Sequence, residues 1–351
     1  MRILAIDLGQ DKSVFCDFDT QTGEYELGAF AMELKRLRTV LSRRRPDRIV
    51  VEICPLAASV YDLGLELGID VEVGDTTQDA WKWKNVKRKT DRDDAIKLAR
   101  LSALEQINRV HIPPRAMRQW RRLVEHRQTL VSERTRCKNR IRALLRPEEQ
   151  RLPGGKKAWT EAVRAELWSL ARPLDVCPPT ELWRGMLEIE LQRLDALEEL
   201  TRTMDAKLDK LAANDARTVL VESIPGVGWR TAEAIVTTLD DPHRFTSRRQ
   251  VAAYAGLTPR RYQSGQMDRH GRISKQGRRS LRQALNQAAW STIRHNAPFR
   301  AFYLQLGGAQ KARRKQAIVA VMRKLLVVAW ALLRDGRRYE ARGTPPPAAA
   351  A

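Results

Sequence analysis

The spacing of apolar positions changes character along the chain. Residues 3–6 are continuously apolar and end at Asp7, and 13–18 and 25–30 flank the turn residues Gln21, Thr22 and Gly23, so three strands are predicted. Leu34, Leu37 and Leu41 then recur on one side of a helix over about 31–44. Residues 48–52 form a second buried run that again ends in an acid, Glu52. A helix over about 57–67, a strand at 70–73 and a helix begun at Thr90 complete the set. Strand, strand, strand, helix, strand, helix, strand, helix predicts a mixed sheet with helices packed on it, and ligand groups in such sheets collect at strand ends.

Beyond residue 105 the pattern is helical. Residues 117–145 are arginine-rich with Leu123, Leu130, Ile141 and Leu144 as apolar members, whereas 147–179, broken by Pro, Gly and Trp, reads as an irregular connector. A three-four spacing runs through Leu187, Leu191, Leu194, Leu197, Met204, Leu208 and Leu211 with Thr201 in the seam, which predicts a helical hairpin, a dimerising coiled coil or a plain bundle helix. A last helical domain is expected over 216–334, and 335–351, with its Pro- and Ala-rich end, reads as a disordered tail.

Charge sharpens this division. The chain of 351 residues has a formal net charge of +22, yet residues 1–80 hold 9 Lys and Arg against 15 Asp and Glu, so 81–351 carry +28. One end is acidic and the rest is built to meet a polyanion, for which a phosphate backbone is the leading candidate. No apolar run of 18 residues occurs, LLVVAWALL at 325–333 being too short and preceded by Arg323 and Lys324, so no membrane partner is expected. The N-terminal MRILAIDLG meets an aspartate too early for a signal peptide. Cys16, Cys54, Cys137 and Cys177 lack CxxC spacing, which argues against a zinc site or a disulfide framework and fits a reducing cytoplasm.

Four acids stand out. KRKTDRDDAIKLARL, residues 87–101, keeps Asp91, Asp93 and Asp94 inside a cationic run. Thr90 can cap a helix whose first turn they occupy, complementing its dipole; alternatively Asp91 and Asp94, three apart and on one face, can share a divalent cation. With Asp7 and Glu52 ending two buried strands, the pattern resembles the ribonuclease H-like layout, in which strands and a helix aim carboxylates at one point. Two magnesium ions about 3.5–4 Å apart would neutralise such a cluster and activate a phosphodiester.

The cationic part carries further motifs. LVESIPGVGWRTAEAIV, residues 220–236, fits a helix-hairpin-helix whose Gly226 and Gly228 would turn backbone N–H groups toward a phosphate. In AGLTPRRYQSGQMDRHGRISKQGRRSLRQAL, residues 255–285, Lys275, Arg278, Arg279 and Arg282 crowd a helix start, where cations oppose the macrodipole and suggest an outside anion; Arg260, Arg261 and Arg272 add to the surface. Ser264 lies there in a glycine-flanked loop where a hydroxyl could reach phosphorus, barely distinguished by chemistry from Ser274 or Ser280. In WKWKNVKRK, Trp81 and Trp83 could stack on bases while Lys87, Arg88 and Lys89 follow the backbone, or the stretch is a solvated linker.

AIDLGQDKS, VVEIC and KTDRDDAIKLA, together with IPGVGWRTAEAIV, AGLTPRRYQSG and GRISKQGRRSLRQAL, resemble the DEDD transposases of bacterial insertion sequences, the one-ten family, relatives of the Piv-type DNA invertases. The resemblance covers about 1–145 and 216–334. It implies an α/β RuvC-like domain at 1–105 bearing the tetrad Asp7, Glu52, Asp91 and Asp94, a helical coiled-coil region at 106–215, and a mostly α transposase domain at 216–334 with Ser264 as nucleophile. It further implies magnesium, one or two ions per site, donor and target DNA, a noncoding bridge RNA as guide, and a nucleoid-associated homotetramer with composite sites, tetrad from one subunit and serine from another. Asp93 departs from the family pattern, which has an apolar residue there. Two other readings fit parts of the chain: a RuvC-like metal-dependent nuclease without a covalent intermediate, and a non-catalytic nucleic-acid-binding protein. IDLG followed by a hairpin also opens actin-like ATPases and sugar kinases, but their further phosphate loops do not occur between 95 and 215.

Overall fold

The computed structural model describes residues 1–75, 90–264 and 267–340. By internal packing the chain separates between Arg115 and Ala116 into two units.

The first unit is built on a five-stranded mixed sheet of β1 (Arg2–Asp7), β2 (Lys12–Asp19), β3 (Tyr25–Ala31), β4 (Arg48–Glu52) and β5 (Asp70–Gly74), in the order β3-β2-β1-β4-β5. β1, β2 and β3 pair antiparallel, and β1, β4 and β5 pair parallel through α1 (Leu34–Arg44) and α2 (Ala57–Glu66). Continuous apolar runs in β1 and β4 follow from burial on both faces. Leu4, Ile6, Ile49 and Val51 pack with Leu37, Leu41, Val60 and Leu63 of α1 and α2. Ile3, Ala5, Val14, Cys16 and Val50 face the other way, onto Ala95, Leu98 and Ala99 of α3 (Asp91–Ala103). Helix α1 starts later than the apolar spacing predicts, because Ala31 is still paired with Lys12 in the β2–β3 ladder. The unit also runs past the expected boundary at 105: Val110 N–H donates to Val73 O at 2.7 Å, and buried Glu72 accepts from Ser102 Oγ and from Arg109 Nε, tying residues 102–110 to the sheet.

In the second unit α4 (Arg115–Leu145) serves two cores. Its later half, with Leu130, Cys137, Ile141 and Leu145, packs on Leu187, Leu191, Leu194 and Leu197 of α6 (Leu182–Ala213) and on Leu167 of α5 (Glu161–Leu170). The seam expected as a possible coiled-coil interface is thus filled within the chain, as a helical hairpin, and Arg127–Asp205 (2.8 Å) and Arg140–Glu190 (2.7 Å) set its antiparallel register. Helix α5 corrects the reading of 147–179 as irregular: Val163, Leu167 and Leu170 have helical spacing and join this core, which outweighs the flanking Pro and Gly signals.

The earlier half of α4 joins α7 (Ala216–Glu222), α8 (Trp229–Leu239), α9 (Arg248–Tyr254), α10 (Arg279–His295), α11 (Ala297–Gln305) and α12 (Arg314–Asp335) around a second core that includes Ile224, Ile235, Leu285, Phe299 and Leu326. Helix α12 is long and apolar enough by composition to span a membrane, but Val321, Leu325, Leu326, Ala329 and Leu333 are buried against its neighbours, so its apolarity is that of a core helix. The unit is not wholly helical: β6 (Pro259–Ser264) and β7 (Met267–Ile273) form an antiparallel hairpin where a loop was expected. Nor does the ordered chain stop at 334. Tyr339 N–H donates to Ser223 Oγ at 2.8 Å, which holds the segment following α12 against the α7–α8 turn.

Candidate functional site

In β1 and β4 the paired register runs Ile3 with Arg48, Leu4 with Ile49, Ala5 with Val50 and Ile6 with Val51. Asp7 and Glu52 each take the next step. Because side chains alternate, Asp7 shares a face with Ile3 and Ala5, and Glu52 with Val50, which is the face covered by α3. Both are half-buried. On α3, Asp91 and Asp94 occupy the stripe that carries Ala95 and Leu98 onto that face, with Asp94 half-buried and Asp91 exposed. The fold therefore puts Asp7 and Glu52 side by side and the helical pair on the sheet-facing stripe. Among the described residues, no three His, Cys, Asp or Glu side chains stand close enough to hold an ion.

The start of α3 separates its acids by task. Thr90 Oγ1 accepts from Asp93 N–H at 3.3 Å, and Asp93 Oδ2 accepts from Thr90 N–H at 3.2 Å and from Thr90 Oγ1 at 2.6 Å, a complete capping box. Capping and ligand chemistry thus need not compete for one residue, since Asp93 is held by the cap while Asp94 faces the stripe.

The cationic motif is distributed less simply. Arg282 Nη1 donates to the carbonyls of Ala255, Gln276 and Gly277 at 3.2, 2.9 and 3.1 Å, so it clamps a loop, a task not foreseen from its position. Burial and the nearby Arg279 charge pull the Arg282 guanidinium below its ordinary range. Arg278 pairs with Glu125 at 2.6 Å, and Arg261 makes a two-point pair with Asp268 at 2.6 and 2.9 Å. Arg260 reaches Ser274 O at 3.4 Å, while Lys275, with φ +56°, Arg272 and Arg279 are exposed. Glu125 was not legible as a partner because it lies 153 residues from Arg278.

The two glycines of the α7–α8 turn also part company. Gly226 has φ +93°, and a Cβ there would stand 2.6 Å from Thr292 backbone atoms, so it lets the turn press onto α10 and is a packing glycine before it is a phosphate contact. Gly228, at the N-cap of α8, has open space around it and no side-chain cap competing for the helix N–H groups. Ser264 ends β6 opposite Met267, at the end of the hairpin, which corrects its placement in a loop. Trp81, Trp83, Lys87, Arg88 and Lys89 lie outside the described residues, as does the side chain of Ser264.

Comparison with known proteins gives this arrangement a class. A family model described as a transposase, of the DEDD type, matches residues 4–147, the stretch that holds all four acids, and one described as the transposase IS116/IS110/IS902 family matches residues 219–304, which hold the α7–α8 turn, the hairpin and the start of α10. Both models describe insertion-sequence transposases, and between them they match most of the chain, which resembles this family in its order of motifs. It is similar to the transposase for insertion sequence element IS1111A of Coxiella burnetii, 26% identical over 97% of this chain and 91% of that protein. A putative transposase of Sinorhizobium fredii, y4rJ, is 29% identical over 88% and 83% of the two chains. The pilin gene-inverting protein of Moraxella lacunata is 34% identical over 36% of this chain and 39% of its own.

Proposed function

We propose that this chain cuts and rejoins DNA strands, using a RuvC-like first unit and a serine nucleophile in the second. The observation that carries the reading is the β1–β4 register, which sets Asp7 and Glu52 side by side on the face covered by α3. Carboxylates gathered on one face offer an all-oxygen donor set, which suits a hard divalent cation. Asp7, Glu52, Asp91 and Asp94, which here stand too far apart for three of them to reach one ion, would draw together to hold magnesium, which when bound supplies Lewis-acid stabilisation of phosphoryl oxygens.

Ser264 is taken as the nucleophile from the resemblance of its QSG motif, and it ends a strand of a hairpin whose described side chains, apart from Ile273, are exposed. Attack of its hydroxyl on a scissile phosphorus forms a serine–phosphate ester and breaks the bond to the deoxyribose oxygen, which departs carrying the proton. A strand hydroxyl then reverses the step, so bond energy is conserved and no external energy source is required. Exposed Arg272, Lys275 and Arg279 support binding of backbone phosphates, and a noncoding guide RNA would choose the target. Helix α6 also exposes Leu182, Met186, Ile189 and Leu200, an apolar stripe that suits assembly of copies into a tetramer with composite sites.

The test is covalent capture. With its RNA, magnesium and a nicked substrate that blocks rejoining, the protein is expected to leave a labelled strand attached through boiling in detergent, and Ser264→Ala to abolish the adduct while binding persists. Ser274→Ala and Ser280→Ala should retain it. Wild-type cutting by Ser264→Ala, with free ends released, would leave a metal-dependent nuclease in place of the covalent mechanism.

A further inference from the structure

A polar groove runs within the second unit between α4 and α10 and reaches the start of α8. One part, of about 290 Å³, is lined by Gln128, Arg230, Thr231, Gln283 and Gln287 among others, and the adjoining part, of about 470 Å³, by Arg136, Arg278 and Arg279 while sharing Gln128 and Gln283.

The two parts differ in charge. In the first, the cations are already matched: Arg127 pairs with Asp205 at 2.8 Å, and Arg230 with Asp205 at 2.9 Å and Asp209 at 2.5 Å. Buried Glu233 also pairs with Arg230, at 2.7 Å. What this stretch offers a ligand is carboxamide, from Gln283 and Gln287 exposed one turn apart on α10 and, as an acceptor, from Oε1 of half-buried Gln128 opposite, whose Nε2 donates to Ser280 O at 3.4 Å. In the second part Arg136 and Arg279 are exposed and, among the described residues, have no acidic partner. Glu125 there is occupied by Arg278.

A carboxamide carries a donor and an acceptor side by side, both of which a base edge can use whereas a phosphate uses the donor alone, and an unmatched guanidinium suits a phosphate. The carboxamides line a recess between helices and do not stand on a helix that projects into a duplex groove, so base edges reach them when splayed out of a strand. An unpaired strand, with its base edges free, is the form of nucleic acid that fits.

We propose that this groove holds a short single strand, with Gln283, Gln287 and Gln128 contacting base edges and Arg136 and Arg279 contacting the adjoining phosphates. The proposal rests on the nucleic-acid reading above and adds to it a base-contacting site on the protein. DNA and RNA strands share the recognised chemistry, and the experiment separates them.

Full-length protein is titrated with labelled single strands of DNA and of RNA, with abasic strands of equal length and with a duplex. Wild type is expected to prefer base-bearing over abasic strands by about tenfold, and Gln283→Leu/Gln287→Leu to narrow that gap at least about fivefold with abasic affinity unchanged. Arg136→Ala/Arg279→Ala should weaken both alike and lower the slope of log affinity on log salt by about 1.4. Thermal unfolding confirms that these exposed substitutions leave the fold intact. A larger effect of the glutamine variant on DNA or on RNA assigns the strand. Persistence of the full gap in the glutamine variant overturns the groove while leaving the transposase reading standing. Failure of wild type to bind any nucleic acid overturns both.

Discussion

Two helix starts in this protein carry clustered charge of opposite sign. At α3 the charge agrees with the helix: Asp91, Asp93 and Asp94 occupy the first turn, where the dipole favours anions, and Thr90 with Asp93 closes a capping box. At α10 it disagrees: Arg278 is the N-cap with no side-chain cap bond, followed by Arg279 and Arg282. Opposition to the dipole suggested an outside anion for the whole cluster, and the structure narrows that inference. Loop carbonyls take Arg282 and Glu125 takes Arg278, so Arg279 and the neighbouring Lys275 are the exposed members left without an acidic partner among the described residues. At α3 the lesson runs the other way, since a locally favourable cluster still contains residues that the cap does not use.

The sharpest way to break the comparison is to remove acids singly. Asp94→Asn, Asp7→Asn and Glu52→Gln are each expected to lower recombination on a plasmid substrate by at least about a hundredfold with nucleic-acid binding largely kept. Activity in Asp94→Asn beside a dead Asp93→Asn would exchange their roles. At the other helix, Arg282→Ala should cost about 2 kcal/mol, read as a fall of several degrees in melting temperature, because three loop carbonyls lose a charged donor. Unchanged melting would return Arg282 to the nucleic-acid surface. Asp93→Ala should cost about 1 kcal/mol through loss of the capping box and leave most of the activity. The smallest effect belongs to Arg279→Ala, with no change in melting and a salt-dependence slope of binding reduced by about 0.7–0.9, one phosphate contact.

The sheet was legible because β1 and β4 are buried on both faces and bounded by turn residues, which fixes strand ends and hence the positions of Asp7 and Glu52. Thr90 announced the start of α3 through its own side chain. The β6–β7 hairpin was hidden because its arginines and glycines read as a loop, and apart from Ile273 its described side chains are exposed, which leaves no apolar face to supply a period-two signal. Helix α5 was masked by the prolines around it. The fates of Arg278 and Gly226 depend on Glu125 and Thr292, partners far away in the chain that local spacing does not reveal. Pattern reading located the acids because they sit on regular elements, and left out the protein partners of the cations, which come from distant parts of the chain.

The β1–β4 register has a bearing on how this sequence tolerates change. Apolar exchanges within 3–6 or 49–51 preserve parity, so conservative variation there should leave the acids facing α3. Loss or gain of a single codon in either run would instead rotate every following side chain to the opposite face, sending Asp7 or Glu52 toward α1 and α2 while the composition hardly alters. In a library of length variants, these two segments should therefore be the most frame-sensitive stretches of the first unit, with paired two-residue changes surviving more often than single ones.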